Sequence, residues 1–569
     1  MSTATTKKST PALARVDPAV LYISVTLAAL FVAWGVFFTG HIAAVAESTL
    51  NRIIDSFGWL FVLTSSGFVL LAVVLAFSRF GSIRLGKDAE RPEFSTASWV
   101  AMMFSAGMGI GLMFYGASEP IMHMSSPPPG SAEAGSADAA RLALEYSYFH
   151  WAIHPWAMYA VAGLALAYFG FRKSGNSLIS SAFRPLLGGL VDGPLGKSID
   201  ILAIFATLFG SAVSLGLGAL QVNRGLTELW GVPGSTALAV SIIAVLTVLF
   251  VISALSGVHR GIQWLSNGNM ILAAVLLLFV FVVGPTVFIL ESQTEALGGY
   301  LASLPKMSFT TGAFGGGEWL SGWTIFYWAW WISWTPFVGT FIARISRGRT
   351  IREFIVGVIV APSLVSVVWF AILGGTALNQ QMHGADLASA VAQGEEAGLF
   401  ATLQHLPWFS VTSVLVIVLV GLFFVSGADA ASVVLGMLSC RGSTSPGRPV
   451  VILWGALTGL VAAVLLMAGG LQAVKQVAII AAFPFLFVMI GLCASLVKAL
   501  RAEPTGTPEP AREQARAAGA DDRAMGAPEP EPETETEPEP EPESEPEPEP
   551  KQGPGVVPTE ALADSQPAS

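Results

Sequence analysis

The sequence predicts an all-α polytopic membrane protein of about 12 transmembrane helices, and three observations predict it. Apolar residues make up 53% of the 569 residues and charged residues 12%, with a mean hydropathy of +0.64, a balance that belongs to spanning chains rather than soluble globules. Apolar runs long enough to cross a bilayer recur, centred near residues 30, 68, 106, 158, 210, 246, 280, 332, 363, 420, 458 and 486. Basic residues fall in alternate loops, because short cytoplasmic loops are enriched in Lys and Arg. With the N-terminus inside, the inner loops hold Arg79, Arg84, Lys87 and Arg91, then Arg172, Lys173, Arg184 and Lys197, then Arg260, then Arg344, Arg347, Arg349 and Arg352, then Arg441 and Arg448. The outer loops hold only Arg52, Arg141, Arg224 and Lys306, with Lys475 near the outer end of the last span. That asymmetry predicts both termini on the cytoplasmic side of the cell membrane.

Taken in order, residues 1–18 form a polar cytoplasmic arm. Lys7, Lys8 and Arg15 precede an apolar run too long for a signal-peptide core, so the first span is expected to be retained. Residues 19–500 form one membrane domain with mostly short loops; the outer segments 118–145, 291–320 and 377–409 have room for short surface helices. The third span reads Ser105-Ala-Gly107-Met108-Gly109-Ile-Gly111, and glycine at alternate positions weakens a helix. Gly107 and Gly111, spaced as GxxxG, also suit close helix packing alone. The eighth span carries Trp328, Trp330, Trp331 and Trp334 within seven residues, then Pro336 and Gly339, which weaken that helix too. Indole faces attract cations, so four of them in mid-span point to a quaternary-ammonium ligand. Span three opens a five-span set over about 97–290 and span eight another over about 320–500. Interruptions at matching positions point to a binding site at a repeat interface, and an odd number of spans per repeat makes the two halves inverted.

The tail differs in kind. From residue 501 onward there are 18 acidic and 5 basic residues, a net of −13 against −10 for the whole chain, so the membrane body is slightly basic. The Glu-Pro repeat from Pro528 to Pro550 repels itself and has no apolar surface to bury, which predicts a disordered acidic cytoplasmic tail over 501–569. The charge gives no nucleic-acid reading. Cys440 and Cys493 suggest no disulfide framework. No nucleophile–base set, metal cluster or phosphate loop stands out, so an enzyme is not expected.

Three motifs carry a resemblance: Gly107-Met-Gly-Ile-Gly111-Leu-Met-Phe-Tyr-Gly116, His150-Trp151-Ala-Ile-His-Pro-Trp156-Ala-Met-Tyr159, and Trp328 to Gly339 followed by Arg344-Ile-Ser-Arg347-Gly-Arg349-Thr-Ile-Arg352. In this order, over roughly residues 20–500, they resemble the betaine/choline/carnitine transporter family. The resemblance implies a LeuT-like fold of two inverted five-helix repeats preceded by two extra helices. It also implies a homotrimer among membrane lipids and a small substrate with a trimethylammonium or related cationic group. It implies an aromatic cage of Trp151, Trp156 and Tyr159 in the fourth span and Trp330, Trp331 and Trp334 in the eighth, with Met108, Gly109 and Gly111 beside it. On one helix, Trp156 and Tyr159 share a face, as do Trp331 and Trp334, and Trp151 lies about 80° around from Tyr159. Trp151 and Trp156 also suit an interfacial aromatic belt. Trp328 is read as packing. In the family an acidic residue within the glycine motif accompanies choline recognition, and the all-glycine version resembles betaine carriers. Glycine at 107, 109 and 111 therefore favours glycine betaine, whose carboxylate could meet backbone N–H groups at a broken helix end. Ectoine and proline remain compatible.

Coupling follows from the same resemblance. Sodium prefers oxygen ligands. Thr207 and Ser211 of the fifth span with Phe337 are implied as one sodium site, and Ser105, Met108, Phe423 and Ser426 as a second. The sodium-coupled pattern has two adjacent hydroxyl residues in the tenth span, and Gly427 stands at the second, which weakens that site. Hydroxyls in membrane helices also bond merely to the preceding turn. Asp429, the carboxylate inside the tenth span, either holds ion ligands in place or couples protons. His150 and His154 are expected to hydrogen-bond between helices, Glu119 to sit at a span end, and Arg344, Arg347 and Arg349 to serve as topology signals or lipid contacts. The sequence thus predicts a sodium-coupled importer of glycine betaine or a related osmolyte, with no cofactor beyond the coupling ion. A choline or carnitine carrier, coupled to protons or not, is the alternative within the family. A channel or osmolyte receptor fits less well, since broken helices around an aromatic site are not a continuous polar pore.

Overall fold

A computed structural model describes residues 16–503, apart from Met108, Ser174 and Gly257 and the side chains of 104–107 and 256–267. The first 15 residues and the acidic Glu-Pro tail lie outside the described residues. Among the described residues the regular structure is helical, with one isolated antiparallel bridge between Arg84 and Thr350. Eight helices are long and apolar enough to cross a membrane, or nine if one bent pair counts as a span. The chain is therefore an all-α multi-pass membrane protein, and each of the 12 predicted centres falls inside a helix.

The helices begin where local chemistry allows. Helix α1 (Pro18–Phe37) starts behind Asp17, whose carboxylate accepts from the N–H groups of Ala19 and Val20 at 3.0 and 3.2 Å. Helix α2 (Thr39–Phe77) follows almost at once. The third predicted span is broken as expected: α3 (Thr96–Gly107) stops, Gly109 is extended (φ −158°, ψ −177°), and α4 (Ile110–Ser125) restarts. The fourth span contains a break that the sequence did not predict, with α5 (Ala137–Trp151) and α6 (Ile153–Ala167) separated by Ala152 at φ −102°, ψ −107°. After the short α7 (Arg184–Leu187) come α8 (Pro194–Trp230), α9 (Thr236–Ser256) and α10 (Val258–Val283). Residues Gly268–Val283 of α10 form the bent pair with α11 (Thr286–Phe309), turning by 106°. The single turn α12 (Gly317–Leu320) leads toward α13 (Phe326–Ile345). Then follow α14 (Ile351–Met382), the short α15 (Leu387–Gln393) and α16 (Ala397–Gln404), α17 (Phe409–Ser439) and α18 (Arg448–Arg501).

Two features differ from the sequence prediction. Helix α13 runs unbroken through Pro336 and Gly339. Hydroxyls around the proline donate to backbone carbonyls (Ser333 to Trp330, Thr335 to Trp331, Thr340 to Pro336, all 2.6–2.9 Å), which lets a proline persist in a spanning helix. Gly339 instead permits close approach: a Cβ there would lie 3.3 Å from the backbone nitrogen of Gly163, where α13 crosses α6. The second interruption sits in α18, where Gly469 and Gly470 leave helical geometry and Gly470 takes φ 60°, ψ −143°, a conformation open to glycine.

The loops rich in arginine gather at one face. Backbone bonds join Leu85 to Arg349 and Gly348, and Arg172 donates to the carbonyls of Arg84 and Gly86. Buried Arg349 donates to the carbonyl of Phe94 at 3.0 Å and lies 4.0 Å from the Trp99 ring centroid, so it staples two loops together. Glu503, just beyond α18, binds Lys173 at 2.7 Å and Arg172 at 3.1 Å. Burial works to raise its carboxyl, yet the hydrogen bonds from Arg172, Lys173 and Tyr168 hold it down to about 2.

Filling the α6–α13 crossing tests this packing. Gly339→Val is expected to cost about 1–3 kcal/mol of stability through overpacking against backbone that cannot yield. Gly298→Ala, with no neighbour within 4 Å of the new Cβ, serves as control. Thermal unfolding in detergent should show a lower midpoint for the first and none for the second.

Candidate substrate and ion site

Breaks and crossings bring the rings together. Trp151, Trp156, Tyr159, Trp331 and Trp334, with Pro155, Val338 and Ser366, line one narrow cavity of about 30 Å³, room for roughly one water. Trp151 meets Trp331 edge-on at 4.8 Å between centroids, and Tyr159 lies 6.5 Å from Trp331. Trp330 stacks on Trp331 at 4.8 Å and 12°, behind the cavity wall rather than on it. The expected single-helix geometry for Trp151, Trp156 and Tyr159 does not hold, because Ala152 breaks the helix between the first and the other two. Trp151 reaches the same cavity from the end of α5.

The glycine motif lies against these rings. A Cβ on Gly111 would come within 2.8 Å of both Trp151 and Trp330, and a Cβ on Gly109 would first meet Trp334 at 3.9 Å. Met108 lies outside the described residues. Indole N–H groups fix the ring orientations: Trp331 donates to the carbonyl of His150 at 2.9 Å and Trp334 to that of Gly210 at 2.8 Å. The Tyr159 hydroxyl, the Tyr115 hydroxyl and Trp330 Nε1 are buried without a hydrogen-bond partner among the described residues. Trp328 stacks on His154 at 4.8 Å, as packing.

Glu119 is where the sequence reading falls short. It sits inside α4 rather than at a span end, and none of its side chain is exposed. One carboxylate oxygen is 2.8 Å from His150 Nδ1 and 3.2 Å from His123 Nε2; the other accepts from Trp151 Nε1 at 2.7 Å and from the Tyr327 hydroxyl at 2.5 Å. His150 continues to Thr324 at 3.0 Å. Glu119, His123 and His150 bring three possible metal-ligand atoms within 4.8 Å of one another. Each of these atoms is engaged in the hydrogen-bond set. The spacing Glu119 to His123, one helical turn, was the available signal.

For the ion positions, Thr207 Oγ1 is buried and unpartnered among the described residues, unlike Thr335 or Thr376, which bond to the preceding turn. Ser211 is buried one turn later on α8, and the half-buried Phe337 ring is 5.9 Å from Trp334. Ser105 has no described side chain. Buried Phe423 offers its carbonyl to Ser426 Oγ at 3.3 Å, and Asn269 Nδ2 donates to the same hydroxyl at 3.1 Å. A Cβ on Gly427 would meet nothing within 4 Å. Asp429 is buried and accepts from Ser253 of α9 at 2.8 Å. Asn269 was not anticipated from the sequence.

Long apolar helices interrupted around a buried ring-lined cavity define a multi-pass membrane transporter. The chain belongs to the betaine/carnitine/choline transporter family, whose model matches residues 19–505. It is a transporter, not an enzyme. It is 48% identical over 486 residues to the glycine betaine transporter OpuD of Bacillus subtilis, covering 85% of this chain and 94% of that one. A probable glycine betaine transporter of Desulfitobacterium hafniense is 44% identical, covering 85% and 97%, and an ectoine/hydroxyectoine transporter of Virgibacillus pantothenticus 40%, covering 84% and 96%. Among solved structures, a Na+-coupled sialic acid symporter aligns over 77% of this chain and 86% of its own at 13% identity and a TM-score of 0.42, too slight a likeness to carry the fold.

Gly111→Ala drives a methyl group into two indoles and is expected to cut substrate uptake roughly tenfold or more, since overpacking costs about 1–3 kcal/mol. Gly109→Ala has space and should retain most uptake. Initial uptake rates at matched expression check the contrast.

Proposed function

We propose that the protein is a secondary active transporter that imports glycine betaine, or a related quaternary-ammonium osmolyte, with sodium by alternating access across the cytoplasmic membrane. The observation that carries this is the cavity walled by Trp151, Trp156, Tyr159, Trp331 and Trp334. A trimethylammonium group donates no conventional hydrogen bond, and ring faces can replace its hydration at about 0.5–2 kcal/mol each. The cavity is narrower than such a head group, so the rings part on binding. The N-terminus of α4 at Gly109–Ile110 and the unpartnered Tyr159 hydroxyl suit a substrate carboxylate, which favours a betaine over choline. Relatives named for glycine betaine and for ectoine fit a cage that tolerates several zwitterions.

Sodium coupling has its own support. Thr207 Oγ1 is an oxygen without a partner in a water-poor helix face, where a cation would supply one, and Ser211 stands a turn away. At the second position Gly427 lacks a hydroxyl, but the buried Asn269 Oδ1, beside Ser426, is likewise unpartnered and adds an oxygen from α10. The Asp429 to Ser253 bond fits a role in holding α17 to α9. Twelve spans in a LeuT-like pair of inverted repeats, both termini inside and a homotrimeric assembly complete the reading.

Radiolabelled glycine betaine uptake into proteoliposomes, with and without an inward sodium gradient, tests it. Concentrative, sodium-dependent uptake is expected. Trp334→Ala, losing one ring face, should lower affinity by the equivalent of about 0.5–2 kcal/mol. Thr207→Val should raise the half-saturating sodium concentration about tenfold or more, as for a lost contact to a charge. Gly427→Ser should lower it. Uptake indifferent to sodium would end the coupling claim, and uptake of choline but not betaine the substrate claim.

A further inference from the structure

We propose that Glu119 is the fixed anion that makes the cage discriminate for a positively charged head group, acting through Trp151 as a positioning and specificity-determining residue. The inference rests on the quaternary-ammonium reading of the cavity and adds a source of selectivity to it.

Four side chains converge on this carboxylate from three helices: His123 on α4, His150 and Trp151 on α5, and Tyr327 on α13. An indole N–H can only donate, and Trp151 and Tyr327 both donate to the same oxygen, so that oxygen carries no proton. Among the described residues no Lys or Arg lies within ion-pair distance, and the basic partners are the two histidines. A fully buried carboxylate held by histidine, indole and phenol groups costs more than a buried apolar residue of the same size, so packing alone does not account for it.

Its place relative to the cavity supplies the account. Trp151 presents its ring to the cavity and its Nε1 to Glu119 at 2.7 Å. A cation over that ring, within about 6 Å of its centroid, stands less than about 10 Å from the carboxylate across buried side chains, where Coulomb attraction is stronger than in bulk. Donation from Nε1 to an anion also makes the indole face more negative, strengthening the cation–π contact in the same direction. The charge also orients a zwitterion. Glu119 lies nine residues from Ile110 along α4, roughly 13.5 Å at 1.5 Å per residue, so the helix carries a positive end and a negative side chain in the sense of a betaine dipole.

The test uses a pair of ligands of one shape and different charge: glycine betaine and 3,3-dimethylbutanoate, which replaces the quaternary nitrogen by carbon. Uptake of betaine by the full-length protein in proteoliposomes, and inhibition of that uptake by 3,3-dimethylbutanoate, give the two apparent affinities. Glu119→Gln keeps the size and an acceptor oxygen. The expected result is a betaine KM raised roughly tenfold, a maximal rate that changes little, and an unchanged or improved affinity for 3,3-dimethylbutanoate. Trp151→Phe, which keeps a ring and the carboxylate but severs their hydrogen bond, should shift the ratio the same way and covers the case in which Glu119→Gln does not fold. Proportional loss of both affinities in the variants, or an unchanged ratio, overturns the proposal while leaving the betaine reading intact. Wild-type protein that takes up no betaine overturns that reading, and the proposal with it.

Discussion

Three rings of the proposed cage are held by what their N–H groups donate to: Trp151 by the Glu119 carboxylate, Trp331 by the carbonyl of His150 and Trp334 by that of Gly210. A backbone interruption at membrane depth frees carbonyls and amides that lipid cannot satisfy, so it persists only where protein groups take them up. Ala152 interrupts the helix, and the Trp331 indole takes up the carbonyl of His150. Inside α4, Trp369 and Gln221 add second bonds to helix carbonyls, those of Leu112 at 2.8 Å and Met113 at 2.9 Å. Large indoles are suited to this, since one polar atom is anchored while the rest of the ring remains an apolar wall. For Trp331 the bond that repairs the backbone also sets the angle of the ring.

Close backbone approach makes this possible. Gly210 on α8 faces Ser333 and Trp334 with no space for a Cβ, and Gly111 does the same beneath Trp151 and Trp330. The walls are therefore set by backbone, and the remaining freedom is in how the helices part. Lys475, beyond the Gly469–Gly470 break, shows the chemistry of the neighbourhood. Its ammonium lies 5.5 Å from Tyr115 and 5.3 Å from Phe326, while Glu395 supplies a carboxylate at 2.7 Å. A cation resting on rings, with an anion behind it, already occurs one layer from the cage.

Much of this was legible in the sequence, because it depends on composition and period. Apolar length marked the helices, alternate glycines marked the break before Ile110, and three-residue spacing joined Trp331 with Trp334. Most of the rest depends on contacts between distant segments. Pro336 looked like a breaker, yet neighbouring hydroxyls accommodate it. The break at Ala152 follows from Pro155 in the first turn of α6, which has no N–H for the carbonyl of Trp151, a signal overshadowed by the aromatic residues around it. Arg349 looked like a charge facing lipid or cytosol and is instead buried against Trp99. Glu119 is a single acid among apolar residues, and only the fold shows that four polar side chains from three helices meet it.

Those misreadings share a physical basis. Sequence patterns report what a segment prefers in isolation, and in this molecule the groups of the proposed site are places where isolated preference is overruled. A buried carboxylate without a lysine or arginine, a hydroxyl without an acceptor and a helix broken at an alanine are each unfavourable alone. They become mutually compatible because they face one another across the same small volume. Glu119 accepts what Trp151 and Tyr327 must donate, His150 offers the carbonyl that Trp331 needs, and Thr207 keeps an oxygen free on the helix to which Trp334 is tied through Gly210. Since α8 thus carries both the Trp334 anchor and the Thr207 and Ser211 hydroxyls, the proposed ion position and the proposed cage wall share one helix, and coupling between them would need no longer path than one hydrogen bond.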